Sequence, residues 1–213
     1  MGSDAVVYVV DDDAAVRRAL SRLIRSVGLD VVALASAQEF LDAPPARRPA
    51  CLVLDVRLPG LGGLDLQSRL GQDKQATPIV FITGHGNVPT SVRAMKGGAV
   101  DFLQKPFQDE DLLGAVRRAL ALSRRALAER AARAQIHLRL ERLTPREREV
   151  LQLVVTGMLN KQIAGELGAA ERTIKVHRGR VMQKMEAGSV AELVRMTELV
   201  GLPTRPGVPA SHS

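Results

Sequence analysis

The first half of the chain alternates short β-branched runs with stretches of helical periodicity, and the second half carries helical periodicity almost throughout. The runs are AVVYVV (5–10), VVALAS (31–36), CLVLD (51–55), PIVFITG (78–84) and DFLQK (101–105). Five strands separated by helices predict a five-stranded parallel α/β sheet, doubly wound with helices on both faces. After the first run, Val16, Leu20, Leu23, Ile24 and Val27 recur at helical spacing until Gly28 stops the helix. Sheets of this kind hold ligands at the carboxyl ends of their strands, where Asp11, Asp12, Asp55, Thr83 and Lys105 fall.

From Asp109 to about Leu143 the sequence is rich in Ala, Leu, Arg and Glu, with no Pro and no Gly after Gly114, which predicts one long helix or two nearly continuous ones. Leu113, Leu120 and Leu127 repeat every seven residues, but Val116, Ser123 and Arg130 do not sustain an apolar seam, so a coiled coil stays open. Four short helices follow, near 145–156, 160–167, 171–185 and 189–200. Thr144-Pro145-Arg146-Glu147 has the form of a capping box, Ser189 and Glu192 repeat it, and Gly157 and Gly168 end the first two helices. The pattern predicts an α/β domain over 1–120, a helical linker over 121–142, an all-α four-helix domain over 143–202 and a disordered tail over 203–213.

Composition and charge narrow the partners. At 46% hydrophobic and 25% charged residues the chain is ordinary for a soluble protein, and its longest apolar runs are too short to span a bilayer. No secretory signal pattern opens it, and Cys51, the single cysteine, permits no internal disulfide; a cytoplasmic location and no membrane partner are expected. Residues 1–111 hold 12 Lys+Arg against 14 Asp+Glu, whereas residues 112–213 hold 18 against 9, so the second half is the candidate for a polyanion. Aromatic residues make up only 2%, which argues against single-stranded nucleic acid read by base stacking.

A carboxylate takes a phosphoryl group only where the charge between two anions is neutralised and the group is held in line. Asp11 and Asp12 can hold a hard divalent cation, with Mg2+ the natural candidate, and Asp55 can be both ligand and nucleophile. Lys105 can pair with one phosphoryl oxygen and the Thr83 hydroxyl can donate to another. Each residue taken singly has a plainer reading, as a helix cap or a backbone partner. Four strand ends supplying complementary groups together point to one site.

The segments VVDDD (9–13), LDVRLPG (54–60), ITGHG (82–86) and DFLQKPF (101–107) resemble the receiver domains of two-component response regulators, over about residues 4–125. The resemblance implies a flavodoxin-like fold in which Asp55 is the phosphoacceptor. It implies that Asp11, Asp12, Asp55 and the Arg57 carbonyl bind Mg2+, that Thr83 and Lys105 bind the phosphoryl group, and that the Lys105–Pro106 bond is cis. Phe102 is similar to the switch aromatic of the family, and a plain core Phe is the alternative. His85 reads as a loop residue in a TGHG context similar to the FixJ-type subgroup, the donor histidine belonging to a separate sensor histidine kinase. Cys51 reads as a small buried hydrophobe.

Residues 160–185, NKQIAGELGAAERTIKVHRGRVMQKM, fit a helix-turn-helix. Ile163, Ala164, Leu167, Ile174, Val181 and Met185 form the inner face, while Arg172, Lys175, Arg178 and Lys184 stay outside for phosphates or base edges. A generic basic helical hairpin is the alternative. LTPREREVLQLVVTGMLNKQIAGELG, ERTIKVHRGRVMQKM and SVAELVRM resemble the LuxR-type DNA-binding domain of FixJ/NarL response regulators, over about 140–200. That similarity implies base contacts from Lys175 and Val176, the latter against a thymine methyl, and phosphate contacts from Lys161, Thr173, His177 and Arg178. It also implies dimerisation through the last helix. Gly179 departs from the pattern, since some relatives carry a longer polar residue on this groove-facing side.

These readings combine in a response regulator transcription factor, phosphorylated on Asp55, dimerising on activation, binding double-stranded promoter DNA and acting on RNA polymerase. It would not be an enzyme beyond slow self-catalysed phosphorylation and dephosphorylation. Two other classes stay open: an Mg-dependent phosphohydrolase, because DDD follows the first strand, and a regulator whose basic half binds RNA or protein.

Overall fold

The computed structural model describes residues 4–71, 77–84 and 88–202 and divides into two compact units, Met1–Ala128 and Glu129–Ser213. In the first, β1 (Val6–Val10), β2 (Asp30–Leu34), β3 (Ala50–Asp55), β4 (Ile79–Thr83) and β5 (Asp101–Gln104) form one parallel sheet in the order β2-β1-β3-β4-β5. Helices α1 (Ala14–Ser26), α2 (Ala37–Asp42), α3 (Gly63–Gly71) and α4 (Val88–Lys96) link the strands. Every residue of β1, β3 and β4 is buried, because both faces of the sheet are covered. Val7, Val9, Val53, Val80 and Ile82 meet α1 and the helix after β5 on one face. Val10, Leu52, Leu54 and Phe81 meet Leu66 of α3 and Ala94 of α4 on the other. The edge strand β2 is only partly covered and stops at Leu34, because Ser36 turns away to cap α2, its Oγ accepting from the Glu39 N–H at 3.2 Å.

One continuous helix, α5 (Asp109–Glu141), occupies the Ala- and Arg-rich segment. Its Leu112, Ala115, Val116, Ala119 and Leu120 bury against the sheet, and Ser123 Oγ accepts from the Ala50 N–H at 3.0 Å. Ile136 and Leu140, at the other end, belong to the second core. The expected linker is therefore shared: up to Ser123 it holds the first unit, and from Ile136 it holds the second. The heptad spacing of Leu120 has a local cause, since that side chain fills the sheet's core.

The second unit contains α6 (Pro145–Val154), α7 (Asn160–Glu166), α8 (Glu171–Met185) and α9 (Val190–Leu199). The Thr144–Glu147 capping box forms as its sequence predicts. Val150, Leu151, Ile163, Ile174, Val181, Met185 and Leu193 make the core. The expected tail, 203–213, lies outside the described residues. Among the described residues no helix is long and apolar enough to cross a membrane.

Candidate functional site

Strand register places the first group of side chains. Val10 pairs with Leu54, so Asp11 and Asp55 emerge beside each other; Thr83 pairs with Gln104, and the Lys105 N–H donates to the Thr83 carbonyl at 2.8 Å. Carboxylate oxygens of Asp11, Asp12 and Asp55 lie within 4.8 Å of one another. Asp11 and Asp55 are buried and Asp12 is exposed, an arrangement open to solvent on one side. The Lys105 ammonium sits 2.7 Å from Asp11 Oδ2 and 3.3 Å from Asp55 Oδ2. The Arg57 N–H donates to Asp55 Oδ1 at 3.1 Å and the Asp13 N–H to Asp11 Oδ1 at 2.9 Å.

Burial pushes the Asp55 carboxyl above the ordinary aspartate range, with a further push from Asp11, against the opposing Arg57 N–H and Lys105. Burial acts the other way on Lys105, but its bond to Asp11 and the charge of Asp55 prevail and raise its pKa. Three carboxylates thus face one ammonium, and an oxygen-rich donor set with unbalanced negative charge suits a hard divalent cation. Thr83 is buried at the end of β4. Phe102 is half-buried, its ring centroid 6.2 Å from that of Phe81, and the Lys105–Pro106 bond is cis. His85 lies outside the described residues. Cys51 is fully buried, and burial pushes its thiol far above the usual range, which suits packing and not nucleophilic chemistry.

Gly63 is a neighbour of the site that its sequence context did not single out. It starts α3 against the end of β3, where its N–H donates to the Val56 carbonyl at 3.1 Å and a Cβ would run into the Asp55 carbonyl. The run LPGLGG (58–63) was its only signal.

In the second unit the turn between α7 and α8 passes through Gly168 at φ +59°, a left-handed conformation that favours glycine. Ile163, Ala164, Ile174, Val181 and Met185 are buried and Leu167 is partly so, as the inner face requires. Arg172, Thr173, Lys175, Val176 and Gly179 are exposed along α8, with Lys161 exposed on the first turn of α7. Arg178 is half-buried and donates to Asn160 Oδ1 at 3.2 Å; His177 is half-buried, and its Nδ1 has no hydrogen-bond partner among the described residues. Lys184 differs from its expected outward position. Its Nζ is 2.6 Å from the buried Glu147 Oε2, which clamps α8 onto α6. Burial tends to raise the Glu147 pKa, but Lys184 and Thr144 together hold it below the usual glutamate value.

The first unit carries an acidic cluster at the strand ends of a doubly wound sheet, and the second carries a helix-turn-helix with a basic outer face. Residues 7–117 match the family model described as response regulator receiver domain, and residues 141–197 match that of bacterial regulatory proteins of the luxR family. Nodulation protein W of Bradyrhizobium diazoefficiens is 53% identical over 93% of this chain and 87% of its own. The transcriptional regulatory protein FixJ of the same species is 44% identical over 92% and 96%. The solved structure of the response regulator StyR superposes with a TM-score of 0.82 at 46% identity, covering 92% of this chain and 99% of that one. The chain belongs to the response regulators, as a transcription factor with a receiver domain and a LuxR-type DNA-binding domain.

Proposed function

We propose that Asp55 accepts a phosphoryl group from a sensor histidine kinase and that the modification controls dimerisation and sequence-specific binding to promoter DNA. The observation that carries this reading is the Lys105 ammonium shared by Asp11 and Asp55 beside the three-carboxylate cluster. Asp11, Asp12, Asp55 and the Arg57 carbonyl would hold Mg2+, whose charge lets two anions approach each other. An Asp55 oxygen bonds to phosphorus as the P–N bond of the donor breaks, and the departing imidazole nitrogen keeps that electron pair. Lys105 then exchanges a carboxylate for a phosphoryl oxygen, the Thr83 hydroxyl donates to another, and Phe102 turns further inward.

In the second unit Lys175 and Val176 face bases, while Lys161, Thr173, His177 and Arg178 meet phosphates and Arg172 and Gly179 border the contact. Lys184 supports α8 from behind through Glu147. Val88, Val92 and Met95 form an exposed apolar stripe on α4, which supports a receiver dimer; α9 is the dimer element on DNA. The dimer works in the cytoplasm and acts on RNA polymerase.

Acetyl phosphate with Mg2+ should label the chain with about one phosphoryl group, lost slowly, and Asp55→Asn should abolish labelling. Repeated phosphate release that survives Asp55→Asn but not Asp12→Asn would instead mark a phosphohydrolase. Lys175→Ala should remove specific duplex binding; unchanged specific binding would refute the recognition-helix assignment, and a preference for RNA would point to a different regulator.

A further inference from the structure

Arg17 lies on α1, one turn after the N-cap Asp13, yet its side chain folds back over the start of its own helix. A cation there opposes the helix dipole, so the position needs a compensating contact. The contact is specific. A single nitrogen, Nη1, donates to the Asp11 carbonyl at 2.6 Å and to the Asp12 carbonyl at 2.9 Å. These are the two residues whose carboxylates join Asp55 in the acidic cluster. The rest of the same loop is fixed by Asp13, whose N–H donates to Asp11 Oδ1 and whose Oδ1 accepts from Ala15 at 2.7 Å. Arg18, its neighbour in sequence, is exposed and makes no ion pair among the described residues.

We propose that Arg17 is a positioning residue for the cation site: by bridging two consecutive peptide carbonyls it fixes the direction of the Asp11 and Asp12 carboxylates. The inference rests on the reading of those carboxylates as an Mg2+ site. Two effects of the guanidinium oppose each other. Its charge repels a cation, while its hydrogen bonds hold the ligands in place before the cation arrives. The bonds prevail, because both are short and the one to Asp11 is partly buried, whereas the charge faces solvent on one side and is screened.

The test is Mg2+ titration of the full chain by calorimetry, with amide hydrogen exchange at Asp11 and Asp13, whose N–H groups donate to the Leu34 carbonyl and to Asp11 Oδ1, in cation-free buffer as a second readout. Arg17→Met keeps the apolar stem and should weaken Mg2+ about tenfold, the usual consequence of losing a partner that orients a ligand. It should also speed exchange of both amides. Arg17→Lys should recover part of each effect, and Arg18→Met should change affinity less than about twofold. Equal or tighter Mg2+ binding by folded Arg17→Met overturns the proposal. If the unmodified chain binds no Mg2+ while Arg17→Met still loosens the two amides, the loop-holding role stands and the metal reading fails. No change in either readout overturns the positioning role whatever the cation does.

Discussion

Gly63 and Glu147 show how single side chains set the two sites from outside them. A methyl group at Gly63 would press on the Asp55 carbonyl itself, so the end of β3 would have to shift with its carboxylate. Gly63→Ala should cost the receiver about 1–3 kcal/mol, as overpacking does, and should slow acetyl phosphate labelling of Asp55 in chains that remain folded. Equal stability and rate would show that the strand end tolerates the added group. Glu147 makes a prediction in pH. Its folded pKa lies below its ordinary value of 4.5, so its stabilising contribution is complete above that value and is lost as pH falls through the lower folded one. Lys184→Met should destabilise the second unit by about 1–3 kcal/mol at pH 7 by removing a charged hydrogen bond. The difference from the unmodified chain should shrink below pH 4.5. A difference constant down to pH 3 would show that the loss is one of packing alone.

At the scale of elements, α8 carries both the exposed face and the constraints that hold it. Gly179 stands on its exposed side, and a Cβ there would meet nothing within 4 Å. Gly179→Ala should therefore raise the stability of the second unit by up to about 1 kcal/mol through helix propensity alone. Thermal unfolding without DNA measures this, and a loss of stability would reveal a requirement for glycine in the fold. The far end of α8 is held by α5, where Arg139 donates to the Met185 carbonyl at 3.2 Å and pairs with Glu186 at 2.6 Å. Glu186 takes the left-handed conformation at φ 53°, unusual for a residue with a Cβ, and Arg139 secures it. Arg139→Ala should speed amide exchange in the last turn of α8 and cost about 1 kcal/mol, the net value of such hydrogen bonds; unchanged exchange there would assign the turn's order to packing. The strands and the ends that bear Asp11, Asp55, Thr83 and Lys105 were legible because buried parallel strands read as apolar runs that stop abruptly. The inward turn of Lys184 was not, because its partner Glu147 is 37 positions away and only packing of α6 on α8 brings them together. Arg17 escaped for a different reason: helical periodicity assigns a residue to a face and does not show a side chain folding back along the axis.

The whole molecule has a different charge distribution once the structural units replace an even division of the sequence. Residues 1–128 hold 16 Lys+Arg against 14 Asp+Glu, and residues 129–213 hold 14 against 9. Four of the basic residues first credited to the DNA-binding half, Arg117, Arg118, Arg124 and Arg125, therefore belong to the receiver's part of α5. The second unit still has a net positive charge of 5 and its exposed Lys161, Arg172 and Lys175. Between Arg124 and Gln135 α5 buries no residue, and a helical stretch of about three turns that contributes no side chain to either core is marginal in water. Limited trypsin digestion should therefore cut first among Arg124, Arg125, Arg130 and Arg133, leaving two fragments that each unfold cooperatively because each keeps its own core. The C-terminal fragment should keep duplex binding. With Lys161 and Arg178 as the two cations assigned to phosphates, log K per copy should fall against log salt with a slope of about −2. Primary cleavage elsewhere would show that α5 is protected along its middle, and a slope near zero would mean that the basic face of α8 is not what holds the DNA.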